Sequence, residues 1–278
     1  MPAMDRIMTM AEAVALLPPG ERTMALGGNS LHRTPHAFVR ALARRTDLAL
    51  HLAKTAGAYD IDLLCLAGLV RAVSAGFVGY ETQFGLARHY RRAVESGAVK
   101  AWEHACYTVI AAMRAAAYGL EFLPVRGLDG SDLVKARGFE RISNPYRPDD
   151  RPVAIPAIAP DLAVIHVQYA DRAGNGVILG AKCEDLLMAR AANQVVLTAE
   201  HVVKTDALPV PLDHVDIPAV LVTGVVESPR GAWPGSCHGE YPIDPAGVEA
   251  LIALPDREAL LAYLDTLQES ADSRQEAH

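Results

Sequence analysis

Met24-Ala-Leu-Gly-Gly-Asn-Ser-Leu-His-Arg-Thr-Pro35 is the stretch on which the reading of this chain turns. Residues 24–26 are apolar and read as the end of a buried strand, which breaks at Gly27 and Gly28. Glycine lets the backbone turn sharply and lets a ligand approach without a Cβ in the way. A helix is expected from Pro35, with Thr34 as its N-cap. Proline suits the first helical position, where no amide donor is needed, and a threonine oxygen accepts from the free amides of the first turn. Strand, glycine turn and helix N-terminus together make a place for a phosphate or oxyanion, because free amides and the helix dipole point at it. The same pattern also serves as a tight connection with no ligand, since such turns are common in α/β folds.

Outward from this turn, β-prone runs alternate with helical patterns. Strands are expected at 22–26, 48–52, 73–80, 99–103, 122–125, 161–168, 194–198 and 218–226. Helical spacing falls at 8–17, 35–45, 62–69, 86–96, 106–118 and 184–192, and again in the tail from Asp256. Residues 143–160 hold Pro145, Pro148, Pro152, Pro156 and Pro160 and predict an extended traverse across the domain. Strand–helix alternation implies right-handed βαβ units. The expected architecture is therefore an α/β fold, an open and mostly parallel sheet with helices on both faces. It forms one domain over residues 1–278, fraying in the polar tail 270–278. Ligands in such folds bind beyond the carboxyl ends of strands, so the loops after Leu26, Tyr80, Glu103, Val125 and Gln168 are expected to share one crevice.

Bulk properties remove several classes. Of the 278 residues 51% are hydrophobic and 21% charged, which excludes a disordered or fibrous chain. A net charge of −7 argues against a nucleic-acid partner, which needs a basic face. No apolar run approaches the ~20 residues of a membrane span. The first residues carry no apolar signal-peptide core, and the cysteines (Cys65, Cys106, Cys183, Cys237) form no CxxC pair. Free thiols in a reducing compartment, and hence a cytoplasmic protein, are expected.

Glu103, at a predicted strand end before a helix, is suited to general-base work or to anchoring a substrate; its structural alternative is a first-turn acid complementing the helix dipole. Glu81, after the 73–80 strand, is a second carboxylate of this kind. Ser236-Cys237-His238 places a thiol beside an imidazole, but sequence neighbours rarely meet in nucleophile–base geometry. His166, inside an apolar strand, reads as a hydrogen-bonded core histidine, and no HxxxH or HxH spacing supports a metal. Asp171 and Asn175 suit Asx turns. Neither a Walker loop nor a complete GxGxxG is present, which leaves a nucleotide enzyme with little support.

Taken in order, several segments resemble the alpha subunit of the family I CoA-transferases, the glutaconate CoA-transferase-like group. They are 24–35, 62–81, Glu103 leading into 112–126, 156–161 with 165–175, and 229–237 with Tyr241. The resemblance spans residues 20–245. It implies the CoA-transferase fold, no bound cofactor, and coenzyme A as part of the substrate. It also implies a beta-subunit partner of the same fold, usually in an α2β2 heterotetramer. In that family a beta-subunit glutamate attacks the acyl-CoA thioester and carries CoA between acids, while the alpha subunit supplies part of the acyl pocket. No Ser-Glu-Asn-Gly-type segment is present here; Glu95-Ser-Gly97 is the nearest string, so this chain alone is not expected to be a complete transferase.

The implied substrate-binding residues are Gly27, Gly28, Asn29, Ser30, Arg33, Glu81 and Arg126. Asn29 stands where the family has phenylalanine, and Arg33 where it has glycine two residues before the proline. Both make the loop more polar, and Arg33 adds a cation suited to an anionic, dicarboxylic acyl group. A hydrolytic branch of the same family opens a ring in a cyclic CoA thioester during steroid degradation. There the glutamate matching Glu103 is implicated in catalysis, which would make Glu103 the base. A non-catalytic ligand-binding domain on the same broad fold is a further alternative.

Overall fold

A computed structural model describes residues 5–275, with side chains as far as Gln268. The strands are β1 (Gly20–Leu26), β2 (Leu48–Gly57), β3 (Val70–Val78), β4 (Lys100–Glu103), β5 (Phe122–Val125), β6 (Val153–Pro156), β7 (Leu162–Asp171), β8 (Gly176–Val177), β9 (Gln194–Val203) and β10 (Gly224–Glu227). The helices are α1 (Met10–Ala15), α2 (His36–Leu42), α3 (Tyr59–Leu66), α4 (Glu81–Phe84), α5 (Arg88–Glu95), α6 (Cys106–Ala117), α7 (Leu133–Arg137), α8 (Asp185–Ala191), α9 (Pro245–Ala253) and α10 (Arg257–Gln275). Local chemistry sets several of these ends. Thr9 and Glu12 form a reciprocal capping box on α1, and Asp244 caps α9 ahead of Pro245.

The main sheet runs β10-β9-β7-β1-β2-β3-β4, all parallel, with β8 antiparallel on β7. β7, with nine of its ten residues buried, is apolar on both faces, as a central parallel strand must be. One face packs on α1, α2, α3, α5, α9 and α10 through Phe38, Leu42, Tyr59, Leu63 and Leu251. The other packs on α6 and α8 through Val109, Met113 and Met188. Burying each such side chain contributes about 1.5–3 kcal/mol. The open parallel sheet with helices on both faces is as the residue pattern predicts.

Three differences stand out. β5 is not in the main sheet: it pairs antiparallel with β6 in a two-stranded ribbon. Pro124 and Pro156 each remove a ladder donor, and proline is confined to sheet edges. The ribbon packs on α6 through Ala111, Ala112, Val125 and Ile155. Residues 218–226 split into a 3-10 turn at Ala219–Leu221 and the strand β10. The tail expected to fray from 270 continues as helix α10 to Gln275, and residues 276–278 lie outside the described part.

Candidate functional site

Strand order along the sheet reverses at β1, which has β2 on one side and β7 on the other. A parallel sheet opens a crevice at such a switch point, beyond the strands' carboxyl ends. The glycine turn occupies it. Gly27 N–H donates to Val164 O at 2.8 Å, and Gly28 N–H to Asp185 Oδ1 at 2.9 Å. Gly28 has φ +69°, and a Cβ there would fall 2.6 Å from the Arg33 carbonyl and press on His32 O. No other residue fits. Asn29 and His32 exchange backbone hydrogen bonds at 2.9 and 2.8 Å, closing a tight turn in which Ser30 has φ +51°. Arg33 follows at φ +54°. Such backbone costs of order 1–3 kcal/mol per residue and persists only where the surroundings impose it. Ser30 is buried, and its Oγ has no hydrogen-bond partner among the described residues.

The expected cap at Thr34 is not formed. α2 begins at His36 without a side-chain cap, and Thr34 Oγ1 instead donates to Ser30 O and accepts from Lys54 Nζ at 3.0 Å. Lys54 is itself buried. It also donates to Gly27 O at 3.2 Å and pairs with Asp60 at 2.7 Å, tying both ends of the turn to β2.

Arg33 is not a free cation. Its guanidinium is buried against Asp185 and donates to His166 O at 2.7 Å and Ala181 O at 2.9 Å. A charge taken from water needs a partner, and Asp185 neutralises it in place. The expectation that Arg33 offers a positive charge to substrate is corrected accordingly.

A cleft of about 720 Å3 opens beside the turn, lined by Asn29, His32, Arg33, Leu179, Cys183 and the 236–242 loop. His32 Nδ1 lies 2.6 Å from Ser236 Oγ, a pair 204 positions apart. Behind it is a buried network. His166 has Nδ1 2.9 Å from Thr198 Oγ1 and Nε2 2.7 Å from Glu200 Oε1. Glu200 also accepts from the Tyr241 hydroxyl and from Arg230 N–H. Burial pushes the Glu200 carboxyl up, but the His166 imidazole and these donors together hold it below its ordinary value of 4.5.

His166, Glu200 and Cys237 converge closely enough to suggest a metal. The donor set argues otherwise: Glu200 is fully engaged, and burial with the nearby Glu200 pushes the Cys237 thiol up to about 12, so it stays protonated. His166 is thus the hydrogen-bonded core residue the sequence predicts.

The three other carboxylate and cation positions lie away from this cleft. Cross-strand neighbours Lys54, Ala75 and Glu103 place Glu103 level with the glycine turn but three strands along, roughly 14 Å at ~4.8 Å per strand. It is exposed at the end of the edge strand β4. Glu103 shares its face with Lys54 and lies near Tyr90 of α5, whose phenol is pushed up by burial and by Cys65 and Glu103. On the other face Arg137 stacks on Trp102 at 4.4 Å and donates to His104 at 3.1 Å. Burial, with Arg137 and His51 nearby, pushes His104 down to about 4. Glu81 is exposed after β3 with φ +59°. Arg126, following the ribbon strand β5, is exposed and paired with Asp150, so it is not at the sheet's carboxyl edge. The single shared crevice expected from five loops is therefore too broad.

Residues 7–228 match the family described as Coenzyme A transferase. The chain belongs to the coenzyme A transferase family. It is 31% identical over 259 residues to one of the two kinds of subunit, the first-named, of the glutaconate CoA-transferase of Acidaminococcus fermentans, covering 87% of this chain and 80% of that one. The crystal structure of that organism's glutaconate CoA-transferase superposes with a TM-score of 0.83 at 27% identity, over 93% of this chain and 92% of the other. The cholesterol ring-cleaving hydrolase IpdA subunit of Rhodococcus jostii is 34% identical over 241 residues, 82% of this chain and 79% of the relative. A protein of Archaeoglobus fulgidus is 35% identical over 255 residues; they are 90% of this chain but only 56% of that longer relative.

His32, Ser236, Asp185, Lys54 and Glu200 were not singled out in this CoA-transferase-family chain by local pattern. Only their distant partners give them a role. No helix among the described residues is long and apolar enough to cross a membrane.

Proposed function

We propose that this chain is the alpha subunit of a heteromeric CoA-transferase that moves CoA between carboxylic acids, acting on acyl-CoA thioesters with a dicarboxylic or otherwise anionic acyl group. The observation that carries the reading is the cleft at the β1/β7 switch point, floored by the Gly27-Gly28 turn, in a chain similar to a glutaconate CoA-transferase polypeptide. In this reading Gly27 and Gly28 form the wall of the acyl pocket, and Asn29 and Ser30 give it polar lining. Arg33 shapes the pocket through Asp185 rather than touching substrate. The nucleophilic glutamate belongs to a beta subunit of the same fold, in an α2β2 assembly. Coenzyme A enters only as part of the substrate.

The test is to co-express the chain with its second subunit, incubate the complex with an acyl-CoA and intercept a glutamyl-CoA thioester by borohydride reduction and mass spectrometry. The expected product is a reduced glutamate on the second subunit, formed only with acyl-CoA and no free acid acceptor. Turnover that consumes water and leaves no thioester on either chain refutes the transferase reading. It would favour a ring-opening hydrolase like the Rhodococcus relative, with Glu103 as base.

A further inference from the structure

His32 and Ser236 meet through backbone as well as side chain. Ser236 N–H donates to Leu31 O at 2.8 Å and Arg33 N–H to Ser236 O at 2.7 Å, a parallel bridge that holds the two residues side by side. The imidazole–hydroxyl separation of 2.6 Å is therefore built into the fold, and both side chains line the cleft. Their chemistry does not depend on tautomer. If Nδ1 carries the proton it donates to Ser236 Oγ, leaving the hydroxyl proton to point elsewhere. If the hydroxyl donates to Nδ1, the proton on Nε2 is the one left over. Either way the pair keeps one donor for a ligand oxygen.

The other polar groups of the cleft are engaged. Asp185 neutralises Arg33, the Tyr241 hydroxyl donates to Glu200, and Glu240 lies 3.1 Å from His201. We propose that the His32–Ser236 pair is the acceptor-recognising end of the acyl pocket, binding the carboxylate at the far end of a dicarboxylic acyl group and setting selectivity for it over a plain chain. A carboxylate only accepts hydrogen bonds, and those to a charged oxygen are about twice as strong as neutral ones. A methyl end in the same place leaves the donor unpaired, and sites built to bond a polar group reject analogues lacking it. The inference rests on the CoA-transferase reading above.

The test uses the co-expressed two-subunit complex with glutaryl-CoA and pentanoyl-CoA, which have equal chain lengths. The wild-type complex should favour glutaryl-CoA in kcat/KM. S236A and H32F should each lower the glutaryl-to-pentanoyl ratio about ten- to a hundredfold, the range of one hydrogen bond to a charged group. S236T, which keeps the hydroxyl, should restore the ratio; a merely structural role changes both substrates alike. Wild-type preference for pentanoyl-CoA, or an unmoved ratio in both variants, overturns the assignment. If the wild-type complex turns over neither thioester, the transferase reading itself fails, and the assignment with it.

Discussion

Removing Asp185 tests whether Arg33 is structural. The Asp185 carboxylate is 1% exposed and does two things: Oδ1 accepts from Gly28 N–H, and Oδ2 pairs with the Arg33 guanidinium, itself 5% exposed. Breaking a buried pair from one side leaves an uncompensated charge and costs about 3–5 kcal/mol. Asp185→Asn keeps an acceptor for Gly28 and should lie near the lower end; Asp185→Ala also orphans that amide and should lie near the upper. At about 2–4 °C per kcal/mol for a chain of this size, Asp185→Ala should lower the melting temperature by roughly 10 °C or more. The assay is urea unfolding of each single variant and of the double variant with Arg33→Met. Arg33→Met removes the stranded charge, so the double variant should cost less than the sum by about 2 kcal/mol or more. An Asp185→Ala variant within about 1 kcal/mol of the parent, with no coupling to Arg33, refutes the account and restores Arg33 as a free cation.

Gly28→Ala adds a Cβ against the His32 and Arg33 carbonyls at φ +69°, so thermal unfolding should show a loss of more than about 1 kcal/mol, and turnover by the complex should fall with it. Glu103→Ala, at an exposed site, should leave stability within about 0.5 kcal/mol. In a transferase it should mainly raise KM while the thioester still forms on the partner; in a hydrolase it should abolish turnover. Burial pushes His36 down to about 3 from 6.5. Below pH 6.5 the unfolded chain takes up a proton that the folded chain refuses until about pH 3. Stability therefore falls as pH drops through that window, with a limiting slope of about 1.4 kcal/mol per pH unit from this group. Urea unfolding of His36→Gln across pH 4.5–7 should show a shallower dependence than the parent, and parallel curves would count against it.

What was legible locally is what local forces decide. The apolar run at 161–168 could only be a buried strand, and Gly27-Gly28 marked the end of β1, because burial on both faces and positive φ leave few other residues. Thr34-Pro35 misled because a favourable cap lost to a buried lysine, Lys54, arriving from another strand. Arg33 was read as a cation for substrate because its neutraliser lies 152 positions away. Phe122-Leu-Pro-Val125 was rightly a strand but given to the wrong sheet, since its partner is chosen by the ribbon's own core against α6. The Ser236–His32 pair was invisible for the same reason. Adjacency at Ser236-Cys237-His238 drew attention to the wrong histidine.

Lys54 has a mechanical consequence. One ammonium grips Gly27 at the start of the turn, Thr34 at its end and Asp60 in the helix below. Pinned at both feet, the arch between them has little room to breathe, and it transmits any displacement of β2 undiminished. If the pocket adapts to acyl groups of different bulk, the give must come from the opposite bank, the exposed stretch from His238 to Glu240. Variation there would retune what the enzyme accepts, whereas variation in the arch would dismantle it.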